Sequence, residues 1–146
     1  MKFIYSDGGR SAAGFKGSAG DCVCRAISIA TGKPYSEVYG ELNEEARRER
    51  RGRRKGRGAR SSARTVAHKA TTARYLAALG WKWVPTMGIG TGCRVHLRAD
   101  ELPGGRLIVS LSRHLAAVID GAVYDTEDPT RGGGRCVYGY WTAGAA

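Results

Sequence analysis

The sequence predicts an α+β domain in which N-terminal helices pack on a C-terminal antiparallel sheet. Apolar residues recur at helical spacing in residues 22–32 and 38–46. Beyond Gly80 the apolar period becomes two, which is typical of strands. Asp120-Gly121, flanked by apolar pairs, indicates a two-residue hairpin turn. A chain of 146 residues is long enough for one core, so we predict a single domain spanning 1–146.

The first predicted helix has clear signals at both ends. Asp21 is a favourable N-cap, whose carboxylate is expected to accept hydrogen bonds from the first-turn amides, and Gly32 can supply the left-handed residue that ends a helix. At about 100° per residue, one apolar stripe contains Val23, Ala26, Ile27 and Ala30. Cys22 lies on the edge of this stripe and Cys24 lies with polar residues. The two thiols are therefore expected to have different surroundings.

The other elements follow from shorter patterns. Two more helices are predicted, one starting with Ser36 as N-cap and one running from about Thr71 to Leu79. Residues 3–5 indicate an edge strand. Further strands are predicted at 81–84, 94–97, 106–111, 114–120, 122–126 and 136–141.

Cys22 is the first candidate for chemistry. At the first helical position a thiol feels the positive end of the helix dipole, which lowers its pKa from about 8.5. The same free amides can hold an oxyanion. The alternative is that Cys22 is a small buried hydrophobic residue in an ordinary core helix.

The predicted hairpin supplies a base and an acid. If Asp120-Gly121 forms the turn, His114 and Asp125 lie on one face as diagonal neighbours. A carboxylate at that distance can fix the imidazole tautomer and stabilise the charged ring. Cys22, His114 and Asp125 are the residue types of a nucleophile, a base and an orienting acid. Asp128 is a reserve acid if the turn is longer, and Glu127 is a second reserve.

A metal site is a weaker alternative. Cys22 and Cys24 could join Cys93 and His96 around zinc, but a one-residue gap between ligands is unusual. We therefore predict no metal and no cofactor. No apolar run approaches the length of a membrane span, and the N-terminus lacks a secretory signal, so we expect a cytoplasmic protein without a membrane partner. Reduced thiols are expected there rather than disulfides.

Most of the net charge of +11 lies in one segment. Residues 47–64 carry +9 and the rest of the chain carries +2. With no apolar face, 47–64 is predicted to be a mobile, solvated insertion. The alternative is an electrostatic contact to an acidic substrate or to nucleic acid, although no aromatic residues are interleaved to stack bases. Its candidate contact residues are Arg47, Arg48, Arg50, Arg51, Arg53, Arg54, Lys55 and Arg57.

The order of cysteine helix, histidine strand and acid strand resembles the papain-like cysteine peptidase superfamily. The resemblance is carried by Asp21-Cys22 and by residues 112–118 and 124–126. Segments 20–27, 80–83 and 136–141 also resemble a group of small phage and bacterial proteins, which would make the cytoplasm that of a host cell. These resemblances imply a papain-like fold and a thiol active site. We predict a cysteine hydrolase that acts on a protein or peptide by peptidase or isopeptidase-like acyl transfer, with a thioester left open as the bond cleaved.

One position departs from the family pattern. Papain-like enzymes commonly have a glutamine several residues before the cysteine as an oxyanion donor, whereas this chain has Lys16. Lys16 or Ser18 would then donate together with the Cys22 backbone amide. Two other functions remain open: a nucleic-acid-binding protein whose basic segment is the functional part, and an inactive papain-like scaffold that serves as an interaction module.

Overall fold

The structure is a computed structural model, and it describes residues 1–15, 21–48, 63 and 69–143. The described part is α+β, with three α-helices and eight strands. The helices are α1 (Cys22–Thr31), α2 (Tyr35–Ala46) and α3 (Lys69–Ala78). The strands are β1 (Lys2–Tyr5), β2 (Trp81–Pro85), β3 (Val95–His96), β4 (Arg106–Leu111), β5 (His114–Ile119), β6 (Ala122–Asp125), β7 (Cys136–Val137) and β8 (Gly139–Ala143).

Six strands form one sheet in the order β1-β6-β5-β4-β8-β2. All neighbouring pairs are antiparallel except β1 and β6, which are parallel. The sheet is thus mostly antiparallel. The one parallel pair is possible because all three helices lie in the chain between β1 and β6, and parallel strands need a long connection. β3 and β7 form a separate antiparallel ribbon.

The central strands β4 and β5 are buried on both faces. Ile108 and Ala117 belong to a core shared with the helices, where α1 packs against β4, β5 and β6. Leu107 and Val118 belong to a second core on the opposite face. Burial on both faces explains why β4 reads as a nearly continuous apolar run instead of an alternating one.

The predicted hairpin between β5 and β6 is confirmed. Ile119 pairs with Ala122, and the turn residues Asp120 and Gly121 have φ values of 47° and 79°. Both positive values match the two-residue turn that suits the twist of paired strands. The turn fixes the register that carries His114 and Asp125.

The ends of α1 and α2 only partly follow the prediction. Gly32 is left-handed with φ 77° and its N–H donates to the Ser28 carbonyl, as predicted. Asp21 precedes α1, but its side chain makes no capping hydrogen bond, so that prediction is wrong. Its carboxylate instead pairs with arginines and a tyrosine, described below. α2 begins at Tyr35 after Pro34, not after Ser36, because proline already fixes a φ suited to a helix start.

The expectation that all four cysteines are reduced is wrong. Cys93 and Cys136 form a disulfide with 5.8 Å between their Cα atoms. The ribbon explains their approach, since Cys136 on β7 pairs with His96 on β3. Cys93 is thereby removed from the zinc set considered above, and Cys22 and Cys24 are the free thiols.

Little of the basic segment belongs to the described residues. Arg47 and Arg48 follow α2 and pair with Glu44 and Glu45. Ala63 is 1% exposed in the helical core, and its N–H donates to Asn43 Oδ1 at 2.9 Å, so at this residue the segment contacts the core. The other predicted contact residues, Arg50, Arg51, Arg53, Arg54, Lys55 and Arg57, lie outside the described residues. None of the described helices is long and apolar enough to cross a membrane.

Gly139 allows β8 to lie under Trp83. A Cβ at this position would lie 2.4 Å from the Trp83 ring and 2.9 Å from the Val84 backbone oxygen. Because a backbone atom cannot move aside cheaply, Gly139→Ala is expected to lower the free energy of unfolding by about 2 kcal/mol in urea denaturation. Gly40→Ala, in α2 with open space around it, is the control and should be neutral or stabilising. Equal stability of the two variants would contradict this packing.

Candidate active site

Cys22, His114 and Asp125 meet at one end of the sheet. Cys22 is the first residue of α1, His114 begins β5 and Asp125 ends β6. β5 and β6 are neighbours, and α1 packs against both. Three separate elements therefore bring a thiol, an imidazole and a carboxylate together.

The imidazole and the acid are in direct contact. His114 Nε2 lies 2.5 Å from Asp125 Oδ2, and Asp125 is only 5% exposed. The other oxygen, Oδ1, accepts the Thr126 N–H at 2.7 Å. The reserve acids Glu127 and Asp128 are exposed, and no described contact joins either of them to His114.

The thiol lies on the other side of the imidazole. Cys22 is half-buried, and the His114 side chain and the Leu115 backbone lie near enough to its thiol for both to lower the pKa of Cys22. Because Asp125 occupies Nε2, Nδ1 is the ring nitrogen left for the sulfur. Burial raises the pKa of Cys22, but these interactions and the positive charges of His114 and Arg25 outweigh it, so the pKa lies below its ordinary value.

The charges of the other two groups are coupled to that of the thiol. Burial lowers the pKa of His114, but the interactions of the ring with Asp125 and Cys22 outweigh burial and raise the pKa to about 9. Burial likewise raises the pKa of Asp125, and its bond to His114 brings it below the usual range. A positively charged imidazole next to an easily ionised thiol is the arrangement that activates a cysteine nucleophile.

Cys24, two residues further on, has the opposite environment. It is fully buried and its thiol donates to the Tyr35 carbonyl at 3.8 Å. Burial raises the pKa of Cys24 to about 12, so this thiol stays protonated at neutral pH. The predicted difference between the two thiols is confirmed: Cys24 lies in the core, whereas Cys22 is partly buried against it.

Arg25 is a site residue that the sequence analysis missed. Its guanidinium contacts Asp21 and also lies 3.5 Å from Asp125 Oδ1. Asp21 is 1% exposed and accepts the Tyr35 hydroxyl at 2.5 Å, with Arg10 at 3.7 Å. The four-residue spacing of Asp21 and Arg25 is typical of an ion pair on a helix, and it is the signal in the sequence that could have found Arg25. It does not reveal that Arg25 also contacts Asp125.

The predicted oxyanion donors are only partly within the described residues. Lys16 and Ser18 lie outside them. Cys22 opens α1, where backbone N–H groups have no helical acceptor and can bind an anion. The site thus combines a thiol, an imidazole, a carboxylate and an amide at a helix start. No protein-family model, curated protein or solved structure matches this chain.

Proposed function

We propose that this protein is a cysteine hydrolase with a papain-like organisation, in which Cys22 is the nucleophile, His114 the acid and base, and Asp125 the orienting acid. The observation that carries the proposal is the continuous contact from sulfur through imidazole to carboxylate. The lowered pKa of Cys22 and the raised pKa of His114 support it, because together they favour a thiolate beside an imidazolium near neutral pH.

In the acylation step the Cys22 thiolate attacks a substrate carbonyl carbon. The carbonyl oxygen becomes an oxyanion next to the Cys22 backbone N–H. His114 then gives its proton to the leaving group, the bond to that group breaks, and a thioester forms on Cys22. Asp125 stabilises the charged imidazole before this transfer.

In the deacylation step His114 is a neutral base. It takes a proton from water while the water oxygen attacks the thioester carbonyl. The carbon–sulfur bond breaks, the acyl group leaves as a carboxylic acid, and the thiolate and imidazolium are restored. The same cycle serves a peptide bond, an isopeptide bond or a thioester, and we propose a peptide or isopeptide bond in a protein substrate.

Alkylation of Cys22 tests whether this thiol is activated. At pH 6 iodoacetamide is expected to modify Cys22 about 100-fold faster in the wild type than in His114→Ala, because an ordinary thiol with a pKa near 8.5 is under about 1% ionised there. Peptide mass mapping identifies the modified residue. Cys24 is the internal control and should stay unmodified in both proteins.

A second measurement separates an activated thiol from a hydrolase. With p-nitrophenyl acetate, the wild type should release many molecules of p-nitrophenol per protein molecule, and this release should be absent in Cys22→Ala. Equal alkylation rates in the wild type and His114→Ala would overturn the proposal. So would the release of no more than one p-nitrophenol per molecule from a protein whose Cys22 is alkylated quickly.

A further inference from the structure

An open cleft adjoins His114 and Asp125, and five arginines line it, three of which are not paired with Asp21. His114 and Asp125 form part of its wall, together with Arg113, Arg131 and Arg135. Arg113 lies in the turn between β4 and β5, directly before His114, while Arg131 and Arg135 bracket the turn that follows β6. Among the described residues, none of the three arginines has a carboxylate within ion-pair distance.

Two of these arginines occupy backbone positions that favour glycine. Arg113 has φ 55° and Arg131 has φ 51°, both in the left-handed region. A side chain at such a position costs free energy that glycine would not. Strained residues of this kind concentrate at binding and catalytic sites, so their presence beside His114 points to a role for the side chains.

The third arginine is held in place. Arg135 Nη2 donates to the Ser112 carbonyl at 2.7 Å, and Nη1 lies 3.5 Å from the Pro129 carbonyl. Its Nε is buried and has no hydrogen-bond partner. Burial and the neighbouring charge of Arg131 lower the pKa of Arg135, so an anion in the cleft would relieve an unfavourable charge.

The acidic residues around the cleft are already engaged. Asp7 accepts the N–H groups of Gly9 and Ser11, and Asp128 accepts the N–H of Thr130. Asp21 and Asp125 pair with arginines and with His114. In the described part of the chain Glu127 is the lining carboxylate without such a contact, although the backbone hydrogen bonds of Asp7 and Asp128 leave the charges of those two groups in place.

We infer that this cleft binds a carboxylate on the leaving-group part of the substrate. The assignment to the leaving group rests on the proposed function, because His114 lines the cleft and would deliver its proton on that side. Planar guanidinium groups suit carboxylates, which they bind through paired hydrogen bonds. The carboxylate has two possible sources: an acidic side chain, or the free end of a short peptide.

Binding to the inactive Cys22→Ala chain tests the cleft without thiol chemistry. Four probes are titrated and followed by NMR: N-acetyl-Gly-Asp-amide, N-acetyl-Gly-Asn-amide, N-acetyl-Gly-Gly with a free carboxylate, and the amide of that last peptide. At least one anionic peptide should bind about fivefold tighter than its neutral isostere, and the preference should fall at high salt. The preferred anionic probe identifies the source of the carboxylate.

Variants in the same background locate the site. Arg113→Gly and Arg131→Gly should each weaken the anionic probe at least about threefold, while raising the thermal midpoint by about 3 °C because the backbone strain is removed. Arg94→Gln, at an exposed arginine outside the cleft, is the matched control and should change neither quantity. Anionic and neutral probes binding equally, or glycine variants binding as tightly as Cys22→Ala alone, would overturn the inference.

The two proposals fail in different experiments. A thiol that alkylates slowly in a protein whose cleft still prefers anions removes the hydrolase and the leaving-group assignment, but leaves the carboxylate site. A rapidly alkylated Cys22 in a protein without anion preference leaves the hydrolase and removes the carboxylate site.

Discussion

Asp125→Asn is expected to slow turnover of an acyl substrate by about 10³-fold while the fold is retained. The amide has nearly the same shape as the carboxylate but carries no charge to stabilise the imidazolium. The pKa of His114 should therefore fall from about 9 towards its ordinary value of 6.5. kcat/KM for a peptide p-nitroanilide, whose amine leaving group must be protonated, is measured against pH as the readout.

The alkaline limb of the pH–rate profile is expected to move to lower pH in Asp125→Asn. His114 must be protonated to protonate a leaving group, so the alkaline limb of the wild-type profile is expected near pH 9 and that of Asp125→Asn near pH 6.5. Because folding raises the pKa of His114, its contribution to stability is complete below pH 6.5 and is lost as pH rises through about 9. Asp100→Asn, at an exposed residue, is the control and should leave the limb in place. An unmoved limb in Asp125→Asn would contradict the assigned role.

Asp21→Ala is expected to cost about 3 to 5 kcal/mol of unfolding free energy. Asp21 is 1% exposed and is shared by Arg10, Arg25 and Tyr35. Its removal leaves two largely buried guanidinium groups without their common counter-charge, and the Tyr35 hydroxyl without its acceptor. Urea denaturation monitored by circular dichroism measures the change.

A surface ion pair provides the matched control for Asp21. Glu37 on α2 is half-exposed and lies 3.5 Å from Lys33, which precedes the helix, and Glu37→Ala should cost less than about 1 kcal/mol. If Asp21→Ala were no more destabilising than Glu37→Ala, the buried network would not support α1. If the Asp21→Ala protein folds, the reactivity of Cys22 can also be measured in the absence of the ion pair between Asp21 and Arg25.

The parts of the site that follow from local chemistry were predictable. Asp120-Gly121 specifies a turn by itself, and a two-residue turn fixes the pairing of Ile119 with Ala122. That register determines which β6 residue shares a face with His114. Gly32 marks the end of α1 in the same local way.

The parts that depend on residues far apart in the chain were not predictable. Asp21 was expected to cap α1, but its neighbours Arg10 and Tyr35 come from other segments, and only the folded chain brings them together. The disulfide joins cysteines separated by 43 positions through a ribbon too short to stand out in the sequence. The three cleft arginines likewise come from two separate turns.

Because α1 carries both free thiols, the number of alkyl groups on the protein reports whether this helix is docked. While α1 is packed against β5, Cys22 is expected to react and Cys24 is fully buried, so each molecule should take one label. If the helix detaches, Cys22 loses its histidine and Cys24 loses its cover, so both become ordinary thiols and label at similar slow rates. The ratio of singly to doubly labelled chains therefore measures local opening of α1 without any added reporter group.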